Sequence, residues 1–112
     1  MDIIDYVRIA KQAIEEKKGE KCVILDISEL SPIADYFVIA SCNNENQMKA
    51  VMDEVDDKLA KAGAGNLRVE GREGSSWILM DYGDFMVHLF DKEARDFYNL
   101  DRVWRDAKEL SK

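Results

Sequence analysis

The chain reads as an α/β (α+β) domain, a single mixed sheet of about five strands flanked by helices. Three observations predict it. Two segments carry apolar residues at helical spacing, and five short runs rich in β-branched and aromatic residues lie between and beyond them. The junctions hold Gly19, Pro32, Asn44, Gly63 and Gly83, residues that stop or turn a chain. The resulting order is α-β-β-α-β-β-β-α, with residues 1–112 forming one domain. A chain of this length buries roughly two-thirds of its unfolded surface, enough for a core.

The first helix is predicted from Asp2 to about Lys18. Ile3, Ile4, Val7, Ala10 and Ile14 recur at helical spacing, and Gly19 stops it. KCVILDI (Lys21 to Ile27) is β-branched and short, as a buried strand is. The polar turn SELSP follows, and DYFVIAS (Asp35 to Ser41) makes the second strand. Asn44 with Gln47 three residues on is a capping-box signature. Behind it, Met48, Val51, Met52, Val55 and Leu59 form an apolar stripe ending at Gly63, which is a long amphipathic helix. LRVEG (Leu67 to Gly71) is a third strand, and WILMDYGDFMVHLF a hairpin of two more. The helical C-terminal section starts at Asp91 and is broken at Asn99; Ala94, Phe97, Tyr98, Leu100, Val103 and Trp104 are its apolar residues.

Composition narrows the function. Hydrophobic residues make up 46% and charged residues 35%, the profile of a folded domain. No run approaches the ~20 apolar residues that cross a bilayer, and the acidic, amphipathic start lacks the basic and apolar blocks of a signal peptide. The expected location is the cytoplasm or an organelle matrix, without membrane contact. Cys22 and Cys42 are too few and too far apart for a disulfide framework or a zinc set, so free thiols are expected. The net charge of -7 argues against phosphate-backbone binding, leaving little direct nucleic-acid contact, and favours a basic protein partner.

The hairpin carries the sharpest signal. A two-residue loop at Tyr82-Gly83 would set Asp81 opposite Asp84, Leu79 opposite Met86 and Trp77 opposite His88. Met80 would then face Phe85 and Ile78 face Val87 on the other side. Both faces are apolar, so each wants cover: one from helices, the other from a second helical layer or a partner. Trp77, at the mouth of the strand after the polar EGREGSS loop, is the residue most suited to partner contact. Asp81 and Asp84 could hold a divalent metal, receive a partner's arginine or lysine, or cap local backbone amides. Self-association through the same hairpin, giving a homodimer, is a further reading.

Two stretches, ADYFVIASCNNENQMKA and RVEGREGSSWILMDYGDFMVHLFDKEARDFYNLDRVW, resemble one family closely. They are similar to the ribosomal silencing factors, also called the Iojap family, from about Asp2 to Ala107. The shared motifs are A-D-Y-F-V-I-x-S, V-E-G before the tryptophan, D-Y-G-D, V-H-x-F and A-R-x-F-Y-x-L-x-x-x-W. The resemblance implies a nucleotidyltransferase-like fold used without catalysis and without a cofactor. It implies docking on the fourteenth protein of the large ribosomal subunit, at the intersubunit face. There the family blocks joining of the small subunit and represses translation under nutrient limitation; organelle members act in large-subunit assembly. The implied partner-binding residues are Trp77, Ile78, Asp81, Tyr82 and Asp84, with Glu70 and Gly71 beside them.

The alternative is a metal-dependent nucleotidyltransferase-type enzyme. That chemistry needs paired carboxylates on one strand face, yet Asp35 is followed two residues later by Phe37. SCNNENQ opens a helix but offers neither glycine nor lysine to cradle phosphate. His88 sits among apolar residues with no nucleophile nearby, and reads as a structural histidine. The acidic run at Asp53 to Lys58 interleaves with the apolar stripe and reads as a solvated helix face.

Overall fold

The computed structural model describes residues 2–65, 68–71 and 76–110. Its elements are α1 (Ile3–Glu16), β1 (Glu20–Asp26), β2 (Tyr36–Cys42), α2 (Glu45–Lys61), β3 (Arg68–Glu70), β4 (Trp77–Asp81), β5 (Phe85–Asp91), α3 (Lys92–Tyr98), α4 (Leu100–Val103) and β6 (Lys108–Leu110). The fold is the expected mixed α/β arrangement with one strand more than predicted. Among the described residues the sheet has six strands in the order β3-β4-β5-β2-β1-β6, and only β2 and β5 run parallel. The extra strand is polar and three residues long, KEL, which carries no period-two signal. It forms because β1 presents an unpaired edge, where Ile24 pairs with Leu110 and Asp26 with Lys108. The expected strand start at Leu67 and most of the REGSS loop lie outside the described residues.

Local chemistry sets the helix ends. The Asp2 amide donates to the Asp5 carboxylate at 3.0 Å and opens α1. Asn44 Oδ1 accepts the Gln47 amide at 2.8 Å and opens α2, while Gln47 Oε1 reaches back to the Asn43 amide rather than to Asn44. Gly63, at φ 101, turns the chain out of α2, and Asn99, at φ 46, separates α3 from α4. Between these ends α2 buries Met48, Val51, Val55 and Leu59. Burial of such a stripe contributes roughly 6–10 kcal/mol as an upper bound. Its surface ion pairs, Lys49–Asp53, Lys61–Asp57 and Lys58 with the half-buried Glu54, add about 0.3–0.5 kcal/mol each at most. Packing, not surface charge, holds α2 in place.

The two faces of the sheet are covered unequally. On one, α1 and α2 bury Ile24, Val38, Ala40, Ile78, Met80, Val87 and Leu89 into the larger cluster. On the other, α3 and α4 give shorter cover to Leu25, Phe37, Ile39 and Phe90, with Trp77, Met86, Leu100 and Trp104 partly buried around them. Cys22 and Cys42 are free thiols, and burial raises the Cys42 pKa to about 11. No helix among the described residues is long and apolar enough to cross a membrane.

Candidate functional site

Pairing in the hairpin differs from the expected register. Asp81 pairs with Met86, Leu79 with His88 and Trp77 with Phe90. The Tyr82 amide donates to the Phe85 carbonyl at 3.0 Å, so the two-residue loop is Gly83-Asp84 and not Tyr82-Gly83. Asp81 and Asp84 therefore do not oppose each other. The reason is backbone sterics: a loop starting at Tyr82 would invite positive φ at an aromatic residue. Moving the loop on by one places Gly83 first, at φ 87, and keeps Asp84 out of the positive region. The pairing slides by two residues, which leaves every side chain on its predicted face.

By strand parity, Trp77, Leu79 and Asp81 share a face with Met86, His88 and Phe90, and cross-strand pairing adds Arg68 and Glu70 to it. This is the less covered face. Trp77, Leu79, Asp81 and Met86 are half-buried, while Arg68 and Glu70 are exposed. Ile78 and Tyr82 point the opposite way, 3% and 8% exposed, and are not brought to the Trp77 surface. The Tyr82 ring stacks on Phe85 at 4.9 Å and its hydroxyl donates to Asp56 Oδ1 at 3.1 Å. Tyr82 thus ties the hairpin tip to α2, and burial, then the Asp56 charge, pushes its phenol above the usual range.

Trp77 is held by aromatic neighbours on three sides: Tyr98 at 4.7 Å, Phe90 at 5.1 Å and His88 at 5.8 Å between ring centroids. Its indole N–H donates to His88 Nδ1 at 3.1 Å. Since indole can only donate, His88 Nδ1 must be the bare nitrogen and the proton sits on Nε2. That Nε2 is buried without a hydrogen-bond partner among the described residues, and the imidazole meets the Phe37 ring edge-on with centroids at 4.5 Å. Burial lowers the His88 pKa from 6.5 to about 4, so the ring is neutral at pH 7. His88 is structural, as its setting among apolar residues predicted, and it also fixes the orientation of Trp77.

The carboxylates have separate surroundings. Asp81 Oδ1 accepts the Gly83 amide at 2.8 Å, the local capping that turn aspartates commonly make, and its Oδ2 lies 3.5 Å from Arg68 Nε. Asp84 is exposed at the tip, where its backbone carbonyl accepts the Asp35 amide at 2.7 Å. Among the described residues no group of three or more His, Cys, Asp and Glu could hold a metal. Phe37, two residues after Asp35, is buried under Trp104, with ring centroids at 5.4 Å.

Gly71 enters the hairpin at φ 82, and a Cβ there would come within 2.3 Å of the Trp77 carbonyl. Gly71→Ala is expected to destabilise the protein by about 1–2 kcal/mol, read as a lower denaturation midpoint at unchanged m-value. An unchanged midpoint would mean that β3 shifts freely away from β4. Parity with Trp77 was the signal that could have added Leu79 and Met86 to the expected surface. Phe97, 81% exposed beside Tyr98, had no comparable signal, since a helical aromatic reads as core.

Comparison with known proteins adds an independent line. The family model described as ribosomal silencing factor during starvation matches residues 1–112. The chain is 38% identical to ribosomal silencing factor RsfS of Halalkalibacterium halodurans, over 92% of this chain and 88% of that protein. It is 37% identical to ribosomal silencing factor RsfS of Bacillus subtilis, over 90% of this chain and 86% of that protein. A crystal structure of a Chromobacterium violaceum protein, 33% identical, superposes with a TM-score of 0.89 over 93% of this chain and 87% of that one.

Proposed function

This chain belongs to the ribosomal silencing factor family, and from that premise we propose that it docks on the large ribosomal subunit and blocks joining of the small one. The contact is the fourteenth large-subunit protein at the intersubunit face, and the outcome is repression of translation under nutrient limitation. The protein acts by binding in the cytoplasm, not by catalysis, with no cofactor and little direct nucleic-acid contact.

The observation that carries this reading is the half-covered sheet face around Trp77. A tryptophan clamped by Tyr98, Phe90 and His88 presents a rigid apolar edge, which loses little entropy on docking. Around it lie Leu79 and Met86, with Asp81 and Glu70 on the same face and Asp84 exposed at the tip to meet a partner's arginine or lysine. Ile78 and Tyr82 contribute by holding that surface from behind. Gly71 lets β3 pass close to β4 at its margin. The net charge of -7 steers the chain toward basic surfaces.

A subunit-joining assay tests the reading directly. Purified protein added to separated subunits is expected to lower the yield of joined ribosomes in proportion to its occupancy of large subunits. Full joining at saturating protein would overturn it. Light scattering across concentration tests the homodimer reading: a dimer formed through Trp77 would dissociate when large subunits are added.

A further inference from the structure

The α1/α2 side of the sheet carries a second surface, unrelated to Trp77. There α2 lies over β2 and β5, and β4 and the edge strand β3 extend beyond it. The overhang forms an open groove of about 350 Å³, walled and floored by Met48, Met52, Val69, Ile78 and Met80. That volume is within the range of pockets that hold ligands. Met48, Ile78 and Met80 are buried, so the floor is fixed, while Met52 and Val69 are half-buried at its mouth.

The rim is acidic. Among the described residues Glu45, Asp53 and Asp56 line the groove with one cation, Lys49, whose Nζ lies 3.0 Å from Asp53 Oδ2, and Asp56 also accepts the Tyr82 hydroxyl. An apolar slot bordered by an excess of carboxylates is complementary to an apolar side chain flanked by positive charge. Thioether side chains in the wall adapt to more than one apolar shape, as surfaces that take peptides do.

We infer that this groove is a docking site for a short basic segment of a protein partner, one that inserts a leucine-type side chain between α2 and β4 while its lysines or arginines face Glu45, Asp53 and Asp56. Because the groove and Trp77 lie on opposite faces of one sheet, both can be occupied at once. The chain would then join a second protein to whatever the Trp77 face holds. The inference stands apart from the ribosome-docking reading, and either can fail alone.

Methionine-methyl NMR tests it in the intact protein, since Met48, Met52 and Met80 line the groove and Met86 reports the opposite face. The probe is a short blocked peptide of alternating lysine and leucine. It is expected to shift the groove methyls saturably and leave Met86 in place. Replacing its lysines with glutamate, or its leucines with serine, is expected to weaken binding about tenfold or more. The double variant Glu45→Gln, Asp53→Asn is expected to bind the lysine peptide roughly fivefold more weakly while sedimenting with large subunits as the parent does. Trp77→Phe should retain peptide binding. The inference is overturned if no shift saturates, if Met86 responds most, or if the glutamate peptide binds equally well.

Discussion

Replacing Trp77 with alanine is expected to weaken association with large ribosomal subunits by about thirtyfold or more, equivalent to ~2 kcal/mol or above. The size of the effect follows from how the indole is presented. Three aromatic neighbours and the hydrogen bond to His88 Nδ1 hold it in one orientation, so docking spends little ordering entropy there. Because Trp77 is half-buried, truncation also loosens the packing on Phe90 and Tyr98. Co-sedimentation is therefore read well below the variant's unfolding midpoint, with Trp77→Phe as the packing control. Phenylalanine keeps most of the apolar contact and loses the N–H, so intermediate binding is expected. Undiminished co-sedimentation of folded Trp77→Ala would remove this face from the proposed interface. Asp84→Asn, at the exposed tip, is expected to cost less and to lose its effect at high salt.

The second large effect is on stability against pH. His88 has a native pKa of about 4 against 6.5 in the unfolded chain, because burial penalises its cation. Its native pKa is lowered, so above pH 6.5 both states are neutral and the group adds no pH dependence. Between pH 6.5 and about 4 the unfolded chain binds a proton that the native protein excludes. Stability therefore falls as pH falls through that window, by about 1.4 kcal/mol per unit and about 3 kcal/mol in all. His88→Phe keeps a ring against Phe37 and Phe90 but cannot titrate. The difference in unfolding free energy between the two proteins should move in favour of His88→Phe by that amount on acidification. A difference independent of pH would mean that His88 is protonated or solvated in the native state. Near neutral pH the variant leaves the Trp77 N–H without an acceptor, at a cost of about 1–3 kcal/mol, offset in part by removal of the unpartnered Nε2–H.

Much of the fold was legible because its determinants are local. The cap at Asn44, the apolar stripe from Met48 to Leu59 and the breaks at Gly63 and Asn99 each depend on residues within a few positions. Strand parity is equally local, so the division of the hairpin into Trp77-Leu79-Asp81 and Ile78-Met80 faces held even though the register did not. The loop position was legible in principle: a lone glycine favours the first loop position, which moves the turn to Gly83-Asp84. The site was legible in part. Trp77 marks a half-covered surface, whereas Tyr82, equally prominent in the D-Y-G-D motif, is turned into the core by its bond to Asp56, 26 residues away in sequence.

By itself the sequence determined the helices, the strands β1 to β5, their face parity and the motifs that place this chain among ribosomal silencing factors. All of these rest on spacing within one element or on residue identity. Only the tertiary structure decided which sheet face stays open, since that depends on α1 and α2 being long and α3 and α4 short. It also decided that β1 would recruit β6, that His88 would clamp Trp77, and that β3 and β4 would overhang α2 to leave a methionine-lined groove. Each of these is a contact between residues far apart in the chain, and their proximity is set by how the layers stack rather than by any local pattern.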